Sequence, residues 1–200
     1  MEQYTNEVNG AGRGSLAYVG FVSGVATLGG LLFGYDTAVI SGAIGYLTTY
    51  FDLTPAMTGW TASSALAGCV IGAAFAGPLS DKFGRKTVLL CAAVCFLVSA
   101  VGTALPRTLT EFILYRILGG VGVGAASMMS PLYIAEISPA RMRGRLVSLN
   151  QLAIVSGILL VYFVNYYIDS FGVRLGEDWN LRYGWRWMFG SEALPALMLW

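Results

Sequence analysis

Apolar runs of membrane length, separated by short polar segments, make up most of this sequence. After a polar start at residues 1–15, the apolar runs occupy residues 16–47, 58–79, 87–105, 111–137, 146–168 and 186–200. Because a helix needs roughly 20 apolar residues to cross a bilayer, these runs predict membrane-spanning helices, the sixth of them incomplete. Residues 1–15 lack the basic start and cleavage site of a signal peptide, so we predict a short cytoplasmic tail before a transmembrane bundle at residues 16–200.

Composition indicates that lipid rather than water is the solvent for most of this surface. Of the 200 residues, 56% are hydrophobic and 12% are charged, whereas soluble domains carry about 25% charged residues. The net charge of +1 gives no reason to expect a nucleic-acid partner. Histidine is absent, and Cys69, Cys91 and Cys95 form no CxxC pair, so we expect neither a metal site nor a disulfide framework. No nucleophile, base and metal constellation is visible, so we expect neither an enzyme nor a cofactor.

The polar connectors predict how the chain is oriented in the membrane. Residues 81–86 (DKFGRK), interpreted as a six-residue hairpin, and residues 138–145 share one side with the tail. Seven Lys and Arg residues lie on that side, and four lie on the other. By the positive-inside rule, the N-terminus is predicted to be cytoplasmic in a multi-pass protein of the cell membrane.

Two opposite charges, Asp36 and Arg116, lie inside the first and fourth apolar runs. A central charge in a membrane helix costs about 2.5 to 3.5 kcal/mol, which predicts that each has a partner and a function. If the two residues pair, protonation of Asp36 would remove the attraction between their helices. Burial favours the protonated acid and Arg116 favours the ionised one, and the sequence does not decide between them. The alternative is a static link between helices.

The runs also divide into two groups of three, which predicts an all-α membrane fold with an internal inverted repeat. Each group has one intramembrane charge in its first run and an arginine-rich loop after its first or second run. Pairs of glycines four residues apart, Gly68 with Gly72 and Gly120 with Gly124, predict close approach of the helices that carry them.

Several motifs together resemble the sugar porter family of the major facilitator superfamily. DKFGRK resembles the loop signature of the superfamily, and YRILGGVGVG followed by PLYIAEISPARMRGR resembles the sugar porter signature. LNQLAIVSGILLVY and GWRWMFGSEALPA continue the likeness into the fifth and sixth runs. The resemblance implies twelve helices in two six-helix halves, with this chain as the N-terminal bundle and a C-terminal six-helix half as its missing partner. The acid at Asp36 is typical of the bacterial proton-coupled members of the xylose, galactose and glucose type, whereas animal facilitators have a neutral residue there.

The resemblance and the residue types together suggest contacts for proton and sugar. Glu192, an acid in the sixth run, is implied to lie near Arg116, although a role in helix packing is the alternative. Gln151 is the best candidate for sugar, because an amide both donates and accepts hydrogen bonds as hydroxyl groups do; interhelical bonding is the alternative. Seven-residue steps place Ile158 and Asn165 on the same face of the fifth helix as Gln151. Xylose symporters have a second glutamine at the position of Ile158 and glucose facilitators have isoleucine, so the sugar stays open.

Phe33, one turn before Asp36, is the candidate for stacking on a pyranose ring, with packing as its alternative.

The resemblance further implies an inner gate formed by Asp81, Arg85, Glu136 and Arg143; the alternative is that the arginines only enforce topology. We therefore expect a secondary active transporter that carries a monosaccharide with a proton by alternating access. An uncoupled sugar facilitator and a transporter-like sugar sensor are the alternatives.

Overall fold

The computed structural model describes the backbone of residues 2–198, and their side chains except at residues 2–19, 21–22, 25–26 and 177. In this part of the chain all regular structure is helical, which confirms the predicted all-α fold class. The elements in chain order are α1 (Glu2–Tyr50), α2 (Pro55–Phe83), α3 (Arg85–Ala104), α4 (Leu109–Ile137), α5 (Arg143–Leu175), α6 (Glu177–Trp179), a π-helical turn (Asn180–Gly184), α7 (Trp185–Gly190) and α8 (Ala193–Met198).

Five of these helices are long and apolar enough to cross a membrane, judged by length and composition. They are α2 to α5 and the part of α1 from Thr27 to Tyr50. Because α1 is one helix from Glu2, residues 2–15, predicted as a polar tail, continue its helical backbone. The apolar windows of α2 and α5 are the least buried, at 28% and 22%. These two helices therefore leave the most apolar surface for lipid or for another part of the protein.

The connection between α2 and α3 is a single residue, which corrects the predicted six-residue hairpin. Only Gly84 leaves the helical conformation between the two helices. Its φ of 87° is accessible because glycine has no Cβ. The N–H of Gly84 donates to the carbonyl of Ser80 at 2.9 Å and closes the last turn of α2. The charged residues of this connector therefore lie on helix ends, where they are held more firmly than in an open loop.

The sixth apolar run is interrupted between α7 and α8, at Ser191 and Glu192. Pro195 has no N–H to donate to the carbonyl of Ser191 four residues earlier. That carbonyl accepts from the N–H of Leu194 instead, at 3.2 Å. The run also becomes helical earlier than predicted, from Glu177 rather than from residue 186. A proline thus places a buried acid at a break in the helix.

Glycines bring α2 and α4 into backbone contact, a close approach of the kind that their four-residue spacing permits. A Cβ on Gly120 would overlap the carbonyl oxygen of Ala65, and a Cβ on Gly68 would overlap that of Ile117. The second glycine of each pair meets a backbone carbonyl in the same way. Neither helix could approach the other this closely with side chains at these positions.

The crossing of α1 and α5 repeats this pattern. A Cβ on Gly34 would overlap the carbonyl oxygen of Ile154, and one on Gly157 would overlap that of Leu31. In both crossings each glycine contacts the carbonyl that lies three residues before the other glycine. Helix α1 thus corresponds to α4, and α5 to α2, as two inverted three-helix repeats require.

An aromatic cluster around Trp185 holds α7 against α4 and the end of α1. The indole is fully buried. Its ring centroid lies 5.4 Å from that of Tyr50, 6.0 Å from Phe51 and 6.2 Å from Phe112. Aromatic pairs at such distances stabilise by about 0.5 to 1.5 kcal/mol beyond their burial. The cluster therefore anchors the segment that carries Glu192.

Candidate functional site

Asp36 on α1 and Arg116 on α4 form a buried ion pair. Nη1 of Arg116 lies 2.7 Å from Oδ1 of Asp36, and the two residues are 1% and 0% exposed, respectively. The guanidinium also reaches the backbone carbonyl of Asp36, at 3.4 Å from Nη1 and 3.5 Å from Nη2. Among the described residues, Oδ2 of Asp36 and Nε of Arg116 have no hydrogen-bond partner.

Small residues make room for this pair where α3 and α4 meet. A Cβ on Gly119 would overlap Oγ of Ser99 and would lie 3.7 Å from Oδ1 of Asp36. The hydroxyl of Ser99 donates to the carbonyl of Tyr115 at 2.9 Å, one residue before Arg116. The glycine therefore lets the carboxylate of α1 and the hydroxyl of α3 approach the same stretch of α4.

Glu192, at the break between α7 and α8, is the second buried acid of this site. It is 1% exposed and interacts electrostatically with both Asp36 and Arg116. Asp36 and Glu192, the acid pair of this site, therefore lie within electrostatic range of one buried guanidinium.

Three further side chains belong to this site, and the sequence pattern did not predict them. The ring of Phe189 lies 5.5 Å from Cζ of Arg116, within range of a cation–π interaction. Oη of Tyr35 lies 2.7 Å from Oγ of Ser191. Tyr35 and Ser191 could have been found from the sequence by their position, because Tyr35 directly precedes Asp36 and Ser191 directly precedes Glu192.

The residues predicted to contact sugar differ in their exposure. Gln151 is exposed, whereas Phe33 and Ile158 are half-buried. Phe33 packs against the apolar cluster that includes Phe96, and Ile158 packs against a different cluster that includes Val39. Gln151 is therefore the one of the three that presents a polar group on an open surface.

Asn165 lies in the interface between α1 and α5 instead of sharing the open face with Gln151. It is 5% exposed, its Nδ2 donates to the carbonyl of Val39 at 3.2 Å, and a Cβ on Gly42 would lie 2.5 Å from that nitrogen. Seven residues fall short of two full turns by about 20°, so two such steps turn the side chain away from the face of Gln151. In this arrangement Asn165 links the two helices, and its role as a sugar contact stays a prediction.

Arg85 joins two of the other residues predicted to form an inner gate. Its Nη1 lies 2.5 Å from Oδ1 of Asp81, and its Nε lies 3.2 Å from Oε1 of Glu136. The same guanidinium donates to Oγ of Ser80 at 2.7 Å. Arg143 is exposed and is not in an ion pair within the described part of the chain. The structure thus brings together three of the four predicted residues.

A second polar cluster, which the sequence pattern did not predict, joins α1, α5 and the π-helical turn at the opposite end of the bundle. The hydroxyl of Tyr46 donates to Oδ1 of Asp169. Nδ2 of Asn180 donates to the carbonyl of Asp169 at 2.9 Å and to its Oδ1 at 3.3 Å. A Cβ on Gly172 would overlap the amide of Asn180, so the glycine admits this side chain. Tyr46 lies 123 residues before Asp169 in the sequence, so local pattern carries no sign of their contact.

Comparison with known proteins identifies the family. The sequence profile of the family described as "Sugar (and other) transporter" matches residues 22–200. The chain belongs to this family. A glucose transport protein of Synechocystis sp. is 48% identical over 186 residues, which cover 92% of this chain and 40% of that protein. A D-xylose-proton symporter of Escherichia coli is 47% identical over 208 residues, which cover 91% of this chain and 42% of the symporter.

Solved structures confirm the major facilitator fold. The proton:xylose symporter XylE bound to 6-bromo-6-deoxy-D-glucose matches with a TM-score of 0.88 at 46% identity, over 92% of this chain and 44% of that one. A bacterial homologue of the human lysosomal transporter Spinster matches with a TM-score of 0.70 at 19% identity, over 92% of this chain and 42% of that one. The second likeness shows the fold alone. As a member of the sugar transporter family, this chain spans less than half the length of the relatives it matches.

Proposed function

We propose that this chain is part of a secondary active transporter that carries a monosaccharide together with a proton. The observation that supports this most is the buried site in which Arg116 faces two carboxyl groups, Asp36 and Glu192. Relatives that cover 91% and 92% of this chain are named as symporters of xylose and arabinose with protons. An uncoupled facilitator has no need of a second buried acid beside the ion pair.

In the proposed mechanism, the proton changes how firmly α1 is held to α4. With Asp36 ionised, the pair attracts the two helices to each other in a low dielectric. Protonation removes that attraction and leaves Arg116 charged, with Phe189 as a neutral neighbour. The two conformations of the transporter then differ in energy by an amount that depends on the proton, which is what coupling requires.

The sugar site lies between this bundle and a second six-helix half, with Gln151 as the main contact from this chain. Its exposed amide can donate to and accept from sugar hydroxyl groups. Phe33 and Ile158 supply partly exposed apolar surface for one face of the ring. The protein lies in the cell membrane, and by the positive-inside rule its N-terminus is on the cytoplasmic side.

The cluster of Asp81, Arg85 and Glu136 then lies at the inner end of the helices, where it serves as a gate. Arg143, which is exposed at the start of α5, is free to pair with the other half. Opening of the inward path breaks these pairs.

Replacing Asp36 by asparagine is the experiment that tests proton coupling. We expect Asp36→Asn to abolish uphill sugar accumulation under an imposed proton gradient while exchange of labelled sugar across the membrane continues. The asparagine keeps the size of the side chain and hydrogen bonding to Arg116 but cannot release a proton. The measurement is uptake and counterflow of sugar in proteoliposomes that contain the full-length protein.

Asp52→Asn is the matched control, because Asp52 is an exposed loop residue between α1 and α2. Its φ of 50° lies in a region that asparagine also adopts readily. We expect this variant to accumulate sugar as the unmodified protein does. Uphill accumulation that survives Asp36→Asn would overturn the assignment of Asp36.

Replacing Gln151 by alanine tests the sugar contact. We expect Gln151→Ala to weaken sugar binding by about threefold to tenfold, the loss that corresponds to one hydrogen bond of about 1 kcal/mol. Thermal stability should change little because the side chain is exposed. The measurement is sugar affinity by calorimetry, with the exposed neighbour Leu152→Ala as control. Unchanged affinity would assign Gln151 to contacts between helices.

A further inference from the structure

A hydrogen bond between Tyr35 and Ser191 lies directly beside the acid pair. Oη of Tyr35 is 2.7 Å from Oγ of Ser191, and Tyr35 is 1% exposed. Oγ of Ser191 itself donates to the carbonyl of Met188 at 2.6 Å. Because a serine hydroxyl has one proton, the tyrosine is the donor in the first bond. The bond thus has a defined direction and runs from α1 to the break in the sixth apolar run.

The two residues of this bond are the sequence neighbours of the two acids. Tyr35 precedes Asp36 on α1, and Ser191 precedes Glu192 between α7 and α8. The segment at the break lacks one regular helical hydrogen bond because Pro195 has no N–H. Without another constraint, such a segment has more backbone freedom than a continuous helix. The bond to Tyr35 supplies that constraint at the residue next to Glu192.

We infer that Tyr35 and Ser191 are positioning residues that hold the Glu192 carboxyl beside Asp36 and Arg116. This inference rests on the proposed proton coupling. Two carboxyl groups held together retain a shared proton to higher pH than separated ones, because the ionised forms repel each other. The hydroxyl pair therefore sets the pH at which the acid pair releases its proton.

Other groups that face the acid pair are few in the described part of the chain. Arg116 approaches from α4, and Cys69 on α2 interacts electrostatically with Asp36 and Arg116. Ser99 on α3 also lies near the site, and its hydroxyl does not ionise at the pH values of transport. Tyr35 from α1 takes part through its hydrogen bond. Among these groups only Tyr35 is hydrogen-bonded to Ser191, so a change at Ser191 acts on the acid pair through this bond.

Removal of either hydroxyl is the test. We expect Tyr35→Phe and Ser191→Ala to move the pH of half-maximal proton-driven uptake toward acid by about half a unit to one unit, which corresponds to the loss of one hydrogen bond. Ser191→Thr retains a hydroxyl and should keep the original pH profile. Tyr162→Phe is the matched control because Tyr162 is exposed on α5.

A second measurement separates this inference from the proposed function. Infrared spectroscopy of the carboxyl C=O stretch, titrated in the full-length protein and assigned with Glu192→Gln, follows protonation without any transport. An acid shift of that titration in Tyr35→Phe and Ser191→Ala supports the inference, even if the unmodified protein fails to accumulate sugar and the proposed coupling falls. An unchanged titration in both variants overturns it.

Equal shifts in Ser191→Thr and Ser191→Ala would also contradict the inference, since the hydroxyl would then be irrelevant. If Tyr35→Phe does not fold, the two serine variants decide the question. They alter only the far end of the same hydrogen bond.

Discussion

Arg116→Gln is expected to destabilise the protein by about 3 to 5 kcal/mol at neutral pH, the cost of removing one partner from a buried ion pair. The substitution leaves Asp36 and Glu192 as two buried carboxyl groups without a cation. Ionised carboxylates are most costly in that position, so the destabilisation should shrink as the pH falls and the acids become protonated. The measurement is the midpoint of thermal unfolding of the detergent-solubilised protein as a function of pH, with a drop on the order of 10 °C at neutral pH.

Arg107→Gln is the matched control for this variant. Arg107 is exposed in the connection before α4, and exposed charges contribute little to stability. We expect its unfolding midpoint to follow that of the unmodified protein at every pH. If Arg116→Gln lowered the midpoint equally at acid and neutral pH, the loss would come from packing, and the ion pair would not be its source.

Gly120→Ala is expected to destabilise the crossing of α2 and α4 by about 3 kcal/mol, at the upper end of the usual cost of overpacking. The added Cβ would overlap the carbonyl oxygen of Ala65 and lie 2.9 Å from its carbonyl carbon. Both atoms belong to the backbone of a helix, so they cannot move aside as the end of a flexible side chain can. Alanine favours helix over glycine by about 1 kcal/mol, which is too little to offset the overlap.

Gly59→Ala provides the same substitution without the overlap. Gly59 lies in α2, and a Cβ there would meet nothing within 4 Å. Its effect should therefore be neutral or stabilising, whereas Gly120→Ala should lower the unfolding midpoint. Equal effects of Gly59→Ala and Gly120→Ala would mean that α2 and α4 do not touch through their backbones.

Local sequence pattern was sufficient for the features that depend on one segment at a time. A charge inside an apolar run needs a partner wherever the run lies, and only a few such charges were available to pair with Asp36. Glycines at four-residue spacing form a smooth strip on any helix, so α2 and α4 could each be expected to pack closely against another helix. The sugar porter motifs then added the family, which the comparisons confirm.

Features that depend on the exact path of the backbone could not be predicted in this way. Spacing placed Asn165 with Gln151, but the angular drift of a helix turned Asn165 into contact with α1. The connector at residues 81–86 was expected to be an open hairpin, yet the single residue Gly84 makes the turn. Arg143 carries the same charge as Arg85, but among the described residues only Arg85 reaches Asp81 and Glu136.

The sequence by itself determined that this chain is a helical membrane bundle with a buried acid and a buried base, because hydrophobic length and the cost of a buried charge are properties of each segment alone. Only the tertiary structure decided that Asp36 and Arg116 lie 2.7 Å apart and that Glu192 joins them. It also decided that Tyr35 and Ser191 meet, since their contact requires α1 to pass beside the break that Pro195 makes. The position of a proton-binding group depends on helices that are far apart in the sequence. The pattern of residues along the chain does not show how far apart the side chains of those helices lie.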